Sequence, residues 1–170
     1  MVKLFNAMEL GKLDGAVLLA EELVNNHFKL SSGQWLKNRY DIKTLKELDS
    51  HEQLNGPLAQ VVKYEGRQKD RELGSSTYTL YRVCLQDDRI LETLDRNPGL
   101  EFEPFLIYIL THELVHVVRF IRFKHRYENT SEAEVTHGEE VRVHGITHDI
   151  LFGVSIVGMD KVFEFYGEWL

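Results

Sequence analysis

The sequence predicts an α+β fold, with a small antiparallel sheet packed on a helical core and one long apolar helix at its centre. Three observations predict it. Apolar residues recur at helical spacing through the first third of the chain. Two β-rich stretches, residues 59–64 and 77–85, flank the polar connection 66–76. An apolar run over residues 105–118 then carries only three strongly polar side chains, His112, Glu113 and His116. A chain of 170 residues suits a single domain, 1–170. Within it, residues 1–55 form a helical N-terminal part. Residues 56–170 carry the sheet, the long helix and a second helix facing it.

Taken in order, Ala16, Val17, Leu19, Ala20, Leu23, Val24 and Phe28 form one amphipathic helix, with Asp14 as its candidate cap. Trp35, Leu36, Tyr40, Ile42, Leu45 and Leu48 suggest further helical packing after a break at Ser31-Ser32-Gly33. Asn55-Gly56-Pro57 marks a turn into the first strand. Residues 87–94 read as a short helix ended by Pro98-Gly99. The long helix spans about residues 102–123, with Pro104 in its first turn, where a missing amide costs little. Glu101 and Glu103 suit its positive end, and Arg119, Arg122 and Lys124 its negative end. A polar loop, 125–130, leads to the Ser131-Glu132-Ala133-Glu134 capping box of a helix running to about residue 151. Gly138 and Gly145 weaken that helix and Gly153 ends it; residues 159–169 form a last short one.

Composition narrows the function classes. Hydrophobic residues make up 43% and charged residues 28%, as in an ordinary globular domain. The net charge of −7 opposes binding to phosphate backbones, so no nucleic-acid partner is expected. The single cysteine, Cys84, excludes an intramolecular disulfide and a four-thiolate zinc site, and its apolar setting predicts burial. Polar groups at the middle of the long helix argue against a membrane span. The N-terminal residues lack the pattern of a secretory signal, so the expected location is cytoplasmic.

The chemistry sits in His112-Glu113-Leu114-Val115-His116. On a helix, histidines four residues apart project from one face, where two imidazoles can hold one Zn²⁺. Glu113 can then take a proton from a water that the metal activates. Burying three such groups among Leu110, Leu114, Val115, Val117 and Val118 would be costly without compensation, and an ion supplies it. The bland alternative is a pair of hydrogen-bonded core histidines beside a salt-bridged glutamate.

Across residues 109–118 the chain resembles the zincin-like metallopeptidases, whose extended HExxH motif has uncharged flanks. Ile109 departs from it, where valine or threonine is more usual. The resemblance implies a zincin-like fold, a strand bordering the substrate cleft, here residues 77–85, and a third ligand from the next helix. The metzincin pattern is excluded, because it needs glycine and histidine where Arg119 and Arg122 stand. Gluzincins take a glutamate from that helix, which favours Glu140, with His144 at i+4 where a supporting aspartate is usual. His144 could itself be the ligand, and His137-Gly138 resembles a SprT-like motif. By spacing, His137, Glu140, Val141, His144 and His148 share one face, whereas Val135, Val143, Ile146 and Ile150 should pack inward. His148 reads as a surface or rim residue, and Tyr127, Arg142, His144 and His148 have chemistry suited to an oxyanion.

The expected function is therefore zinc-dependent hydrolysis of peptide or protein substrates, with Glu113 as general base and His112, His116 and Glu140 or His144 as ligands. The alternatives are a non-catalytic zinc-binding or regulatory protein on the same scaffold, a purely structural helical module, and hydrolysis of a non-peptide amide.

Overall fold

A computed structural model describes residues 2–31, 40–67, 77–122 and 132–169. Its described elements are α1 (Ala7–Phe28), β1 (Tyr40–Lys43), β2 (Ala59–Arg67), β3 (Thr77–Leu85), α2 (Asp87–Arg96), α3 (Phe102–Arg122), α4 (Glu132–Phe152) and α5 (Met159–Phe165). Short 3₁₀ turns lie at Leu45–Glu47, Ser50–Glu52 and Gly167–Trp169. The class is α+β, as expected. Trp35, Leu36, the 125–130 loop and the cap at Ser131 lie outside the described residues.

Helix α3 is the centre. Its residues from Pro104 to Arg119 are all buried. By length and composition it could cross a membrane, but 89% of its most apolar window is buried inside the fold. Helices α1, α4 and α5 pack on it, and β2 and β3 approach from the sheet side. One hydrophobic cluster links Leu13, Ala16, Ala20 and Val24 of α1 to Val83, Ile90, Leu110, Val143 and Val162. Val143 and Ile150 of α4 are buried and Ile146 packs against that cluster, as their spacing predicts; the side chain of Val135 lies outside the described residues.

Three expectations need correction. Helix α1 starts at Ala7, not near Asp14: Asn6 accepts from the Glu9 amide at 2.8 Å while Glu9 accepts from the Asn6 amide at 2.9 Å. This is a reciprocal capping box, and it leaves Asp14 inside the helix. Tyr40 and Ile42 are not helical but belong to β1, which runs parallel to β3 with Asp41 opposite Arg82. Leu45 and Leu48, at a spacing that also fits a 3₁₀ turn, cap Cys84 on the outer sheet face. The sheet is therefore mixed, in the order β1-β3-β2, with only β2 and β3 antiparallel.

Alternation along β3 divides the sheet. Tyr81, Val83 and Leu85 face α3, whereas Arg82 and Cys84 face outward. Arg82 bonds Asp41 through two contacts of 3.0 Å and reaches Glu52 at 3.2 Å; Glu52 also takes the Tyr64 hydroxyl. Cys84 is fully buried, and burial pushes its thiol up to about 12, consistent with an inert packing residue.

Two buried polar side chains after β3 tie distant loops together. The Gln86 side chain accepts from the Leu54 amide and donates to the Glu52 carbonyl, each at 3.0 Å. Asp87 accepts from the Phe5 and Leu45 amides, each at 2.9 Å. Asp87→Ala would strip both amides of their acceptor and should cost about 2–4 kcal/mol of unfolding free energy. Urea denaturation followed by circular dichroism measures this, and an unchanged midpoint would show that the two loops hold without the carboxylate.

Candidate metal centre

Helical geometry sets His112 and His116 on one face of α3, with ring centroids 4.8 Å apart. Across from them, α4 presents Glu140. Its Oε1 lies 2.8 Å from His116 Nε2 and its Oε2 lies 3.1 Å from His112 Nε2. The three residues offer ligand atoms that all lie within 4.8 Å of one another. Zinc bonds of roughly 2.0–2.1 Å fit nitrogen and oxygen donors converging this way, so the donor set suits the ion. The Nδ1 atoms of both histidines are buried and have no hydrogen-bond partner among the described residues. Metal-bound histidines commonly anchor that second nitrogen, so the rings here are held by packing instead. Phe120 stacks against His116 at 5.9 Å.

The electrostatics follow from burial and proximity. Burial works against ionisation of Glu140, but bonds from His112 and His116 hold its carboxyl far below the usual range. Burial alone would lower His116; the bond to Glu140 and the charge of Glu113 raise it overall. Glu113, whose Oε1 is 3.9 Å from His112 Nε2, is pushed up by burial despite the neighbouring histidines. A carboxyl raised in this way is a stronger proton acceptor than an ordinary glutamate.

His144 lies beside this group, not within it. Its Nε2 is 3.7 Å from Glu140 Oε2, and its Nδ1 is 2.8 Å from the Tyr108 hydroxyl oxygen. Burial, reinforced by the charge of His112, lowers it to about 3. The remaining candidates separate. His137 is exposed, with its ring 6.3 Å from that of Trp169. His148 is half-buried and does not line the cavity: its ring packs on Phe163 at 4.2 Å and Phe152 at 5.9 Å, and its Nδ1 is buried. Arg142 is exposed and does not line the cavity, and Tyr127 lies outside the described residues.

The centre opens into a cavity of about 990 Å³. One wall is apolar, built from Leu54, Pro57, Leu58, Ala59 and Val61. The strand bordering the cleft is thus β2, not β3 as the resemblance suggested. β3 is the central strand and is covered on both edges, whereas β2 ends the sheet among the described residues. The opposite wall carries His144, Tyr166 and Trp169.

Sequence reasoning missed Tyr108, Tyr166 and Trp169. Tyr108 carries a usable signal, since it lies one helical turn before His112 on the same face. The other two follow α5 and reach the cleft through tertiary packing alone. Also missed was the pair between Arg119 and Glu139, which spans α3 and α4 with contacts of 2.7 and 2.9 Å. Both side chains are about nine-tenths buried. The clamp sits one turn beyond His116 and one residue before Glu140, so it sets the rotation that aims Glu140 inward. Arg119→Met would leave Glu139 buried without this partner and should cost about 3 kcal/mol. Adding Glu139→Met should recover most of that loss. Chemical denaturation of the single and double variants reads both numbers, and a neutral single variant would remove the clamp from the account.

No family model, curated protein or solved structure matches this chain.

Proposed function

We propose that this protein is a zinc-dependent metallopeptidase of zincin-like type, with His112, His116 and Glu140 as ligands and Glu113 as general base. The observation that carries this reading is convergence: two imidazole nitrogens and one carboxylate meet at the floor of a cleft that Glu113 also lines. Three protein ligands leave a position for water, which a catalytic zinc requires. Imidazole and carboxylate donors suit zinc, although other divalent ions accept them too.

Zinc, when bound, would act as a Lewis acid toward water and the substrate carbonyl. The chain's own residues supply the rest. Glu113 takes the proton from the attacking water and passes it to the departing amine. The apolar wall from Leu54 to Val61 excludes water from one side of the cleft and offers contact to a side chain. β2 can hold an extended peptide through the backbone groups of its outer edge. These features favour a peptide over a small amide.

A second reading keeps the metal without the reaction. His144 Nε2 lies 3.7 Å from Glu140 Oε2. If it joined the ligands, a closed four-ligand site would bind zinc structurally. The two readings part on activity, with zinc binding common to both.

Glu113→Gln should keep stoichiometric zinc and lower peptide hydrolysis by about 10²–10⁴-fold. Elemental analysis and cleavage of a quenched fluorescent peptide library measure the two quantities. Wild-type turnover in that variant would remove Glu113 as the base. Zinc at about 100 times its dissociation constant should stabilise the wild type by about 2.7 kcal/mol. His112→Ala should lose that response. A melting temperature indifferent to zinc and to chelator in the wild type would sink the metal site itself.

A further inference from the structure

His144 is the histidine of the cleft left without a role by a three-ligand centre. It is 5% exposed, lines the cavity, and stands one helical turn after Glu140. Its ring is held from several sides: Trp169 stacks on it at 4.5 Å and 22°, His112 packs at 4.3 Å, and the Tyr108 hydroxyl meets Nδ1 at 2.8 Å. Only Nε2 is turned toward Glu140.

We infer that Tyr108 fixes the tautomer of His144, so that Nε2–H donates to the substrate carbonyl oxygen as it gains charge and is withheld from the metal. This rests on the hydrolytic reading above for its catalytic half; its structural half stands apart from activity. Tyr108 is the positioning residue and His144 the catalytic residue it acts through.

The direction of the bond decides the tautomer. Tyr108 is fully buried, and its hydroxyl has no second hydrogen-bond partner among the described residues. If Nδ1–H were the donor, the phenolic proton would be left buried with no acceptor. With the hydroxyl donating to Nδ1, both groups are satisfied. The proton of the neutral ring is then on Nε2. The Glu140 carboxylate favours it there as well, being 3.7 Å away, too long for a good hydrogen bond but close enough to attract the dipole.

Two consequences follow from a protonated Nε2. It has no lone pair for a metal, so the site keeps three ligands and the position that water needs. It also brings a fixed N–H donor into a cleft wall beside the reacting centre, the arrangement that stabilises developing negative charge without reorganisation. Tyr108 is held independently of this bond, because its ring stacks on Tyr166 at 4.1 Å and 11°. Tyr108→Phe should therefore keep the packing and lose only the hydroxyl.

The first test is ¹⁵N NMR of histidine-labelled, zinc-loaded full-length protein, which reads tautomers directly. His112 and His116 should show metal-ligated Nε2, and His144 a protonated Nε2 that gives way to a tautomer mixture in Tyr108→Phe. A wild-type His144 with its proton on Nδ1, or with Nε2 on zinc, would overturn the inference whether or not any peptide is cleaved. So would an unchanged tautomer in Tyr108→Phe. The second test is kinetic. His144→Phe should lower kcat by about 10²-fold with KM and zinc content nearly unchanged. Tyr108→Phe should lower kcat less, and the double variant should be no worse than His144→Phe. His144→Gln, which retains an N–H donor, should recover part of the loss. Additive losses, or a loss confined to KM or zinc content, would reduce Tyr108 to a packing residue. A zinc-loaded wild type that cleaves nothing while showing the expected tautomers would defeat the hydrolytic reading and leave the Tyr108–His144 assignment in place.

Discussion

Everything in this molecule depends on one constraint: a central helix that must be buried also carries ionisable groups that resist burial. α3 packs against helices on one side and the sheet on the other, and its buried stretch includes His112, Glu113 and His116. Their desolvation has to be offset locally. Glu140 provides the offset from α4, and in doing so it determines how α4 lies against α3. The Arg119–Glu139 clamp holds the same pair of helices a turn further along. The polar side of the α3–α4 interface is therefore one connected electrostatic system. A shift of α4 that turned Glu140 away would leave three polar groups buried against apolar walls.

The cleft walls answer to the same centre by different means. On the sheet side, Gln86 and Asp87 pin the loops before β2, and Leu54, Pro57 and Leu58 are presented as an apolar face. On the helical side, Gly158 adopts φ 89° and starts α5 beside Pro104, whose Cγ lies 3.1 Å from where a Cβ would stand. That close approach places the following turn so that Tyr166 lies over Tyr108 and Trp169 over His144. The aromatic stack does more than fill space. It fixes the ring planes of the two residues whose hydrogen bond faces the centre.

Legibility in the sequence followed the range of the physics. His112 and His116 were readable because i,i+4 spacing on one helix is local; helical spacing put Glu140 on one face with His137, His144 and His148, and only the gluzincin resemblance favoured it among them. The limits of α3 and α4 were readable to within a residue or two, since apolar periodicity and end charges act along the chain. β1 was not. Four residues cannot show a period, and what makes Tyr40–Lys43 a strand is its parallel pairing with β3 and the Asp41–Arg82 contact. The cap at Asn6 was present as Asn-x-x-Glu but precedes the clear apolar pattern. Trp169, Tyr166 and the Arg119–Glu139 pair carry no local signal, because their partners are distant in sequence. The assignment of the cleft strand to β3 failed for a related reason: which strand ends a sheet is decided by pairing, and β-rich composition is common to edge and centre.

The choice between Glu140 and His144 shows how a third ligand can be argued from neighbours when spacing leaves it open. Both residues lie on the same face of α4, and both offer an atom to the same space. Each is already committed by its other contacts. Both oxygens of Glu140 meet the imidazoles of α3, which leaves its charge to be balanced there. His144 places its Nδ1 2.8 Å from a buried hydroxyl that has no other hydrogen-bond partner among the described residues. A carboxylate that balances charge belongs with the cation. An imidazole whose remaining nitrogen carries a proton, as proposed for His144, would belong with the anion that forms in the proposed reaction. On the proposed reading, the two residues would divide the work of the centre because Tyr108, one turn before the first histidine of α3, is a tyrosine and not a phenylalanine.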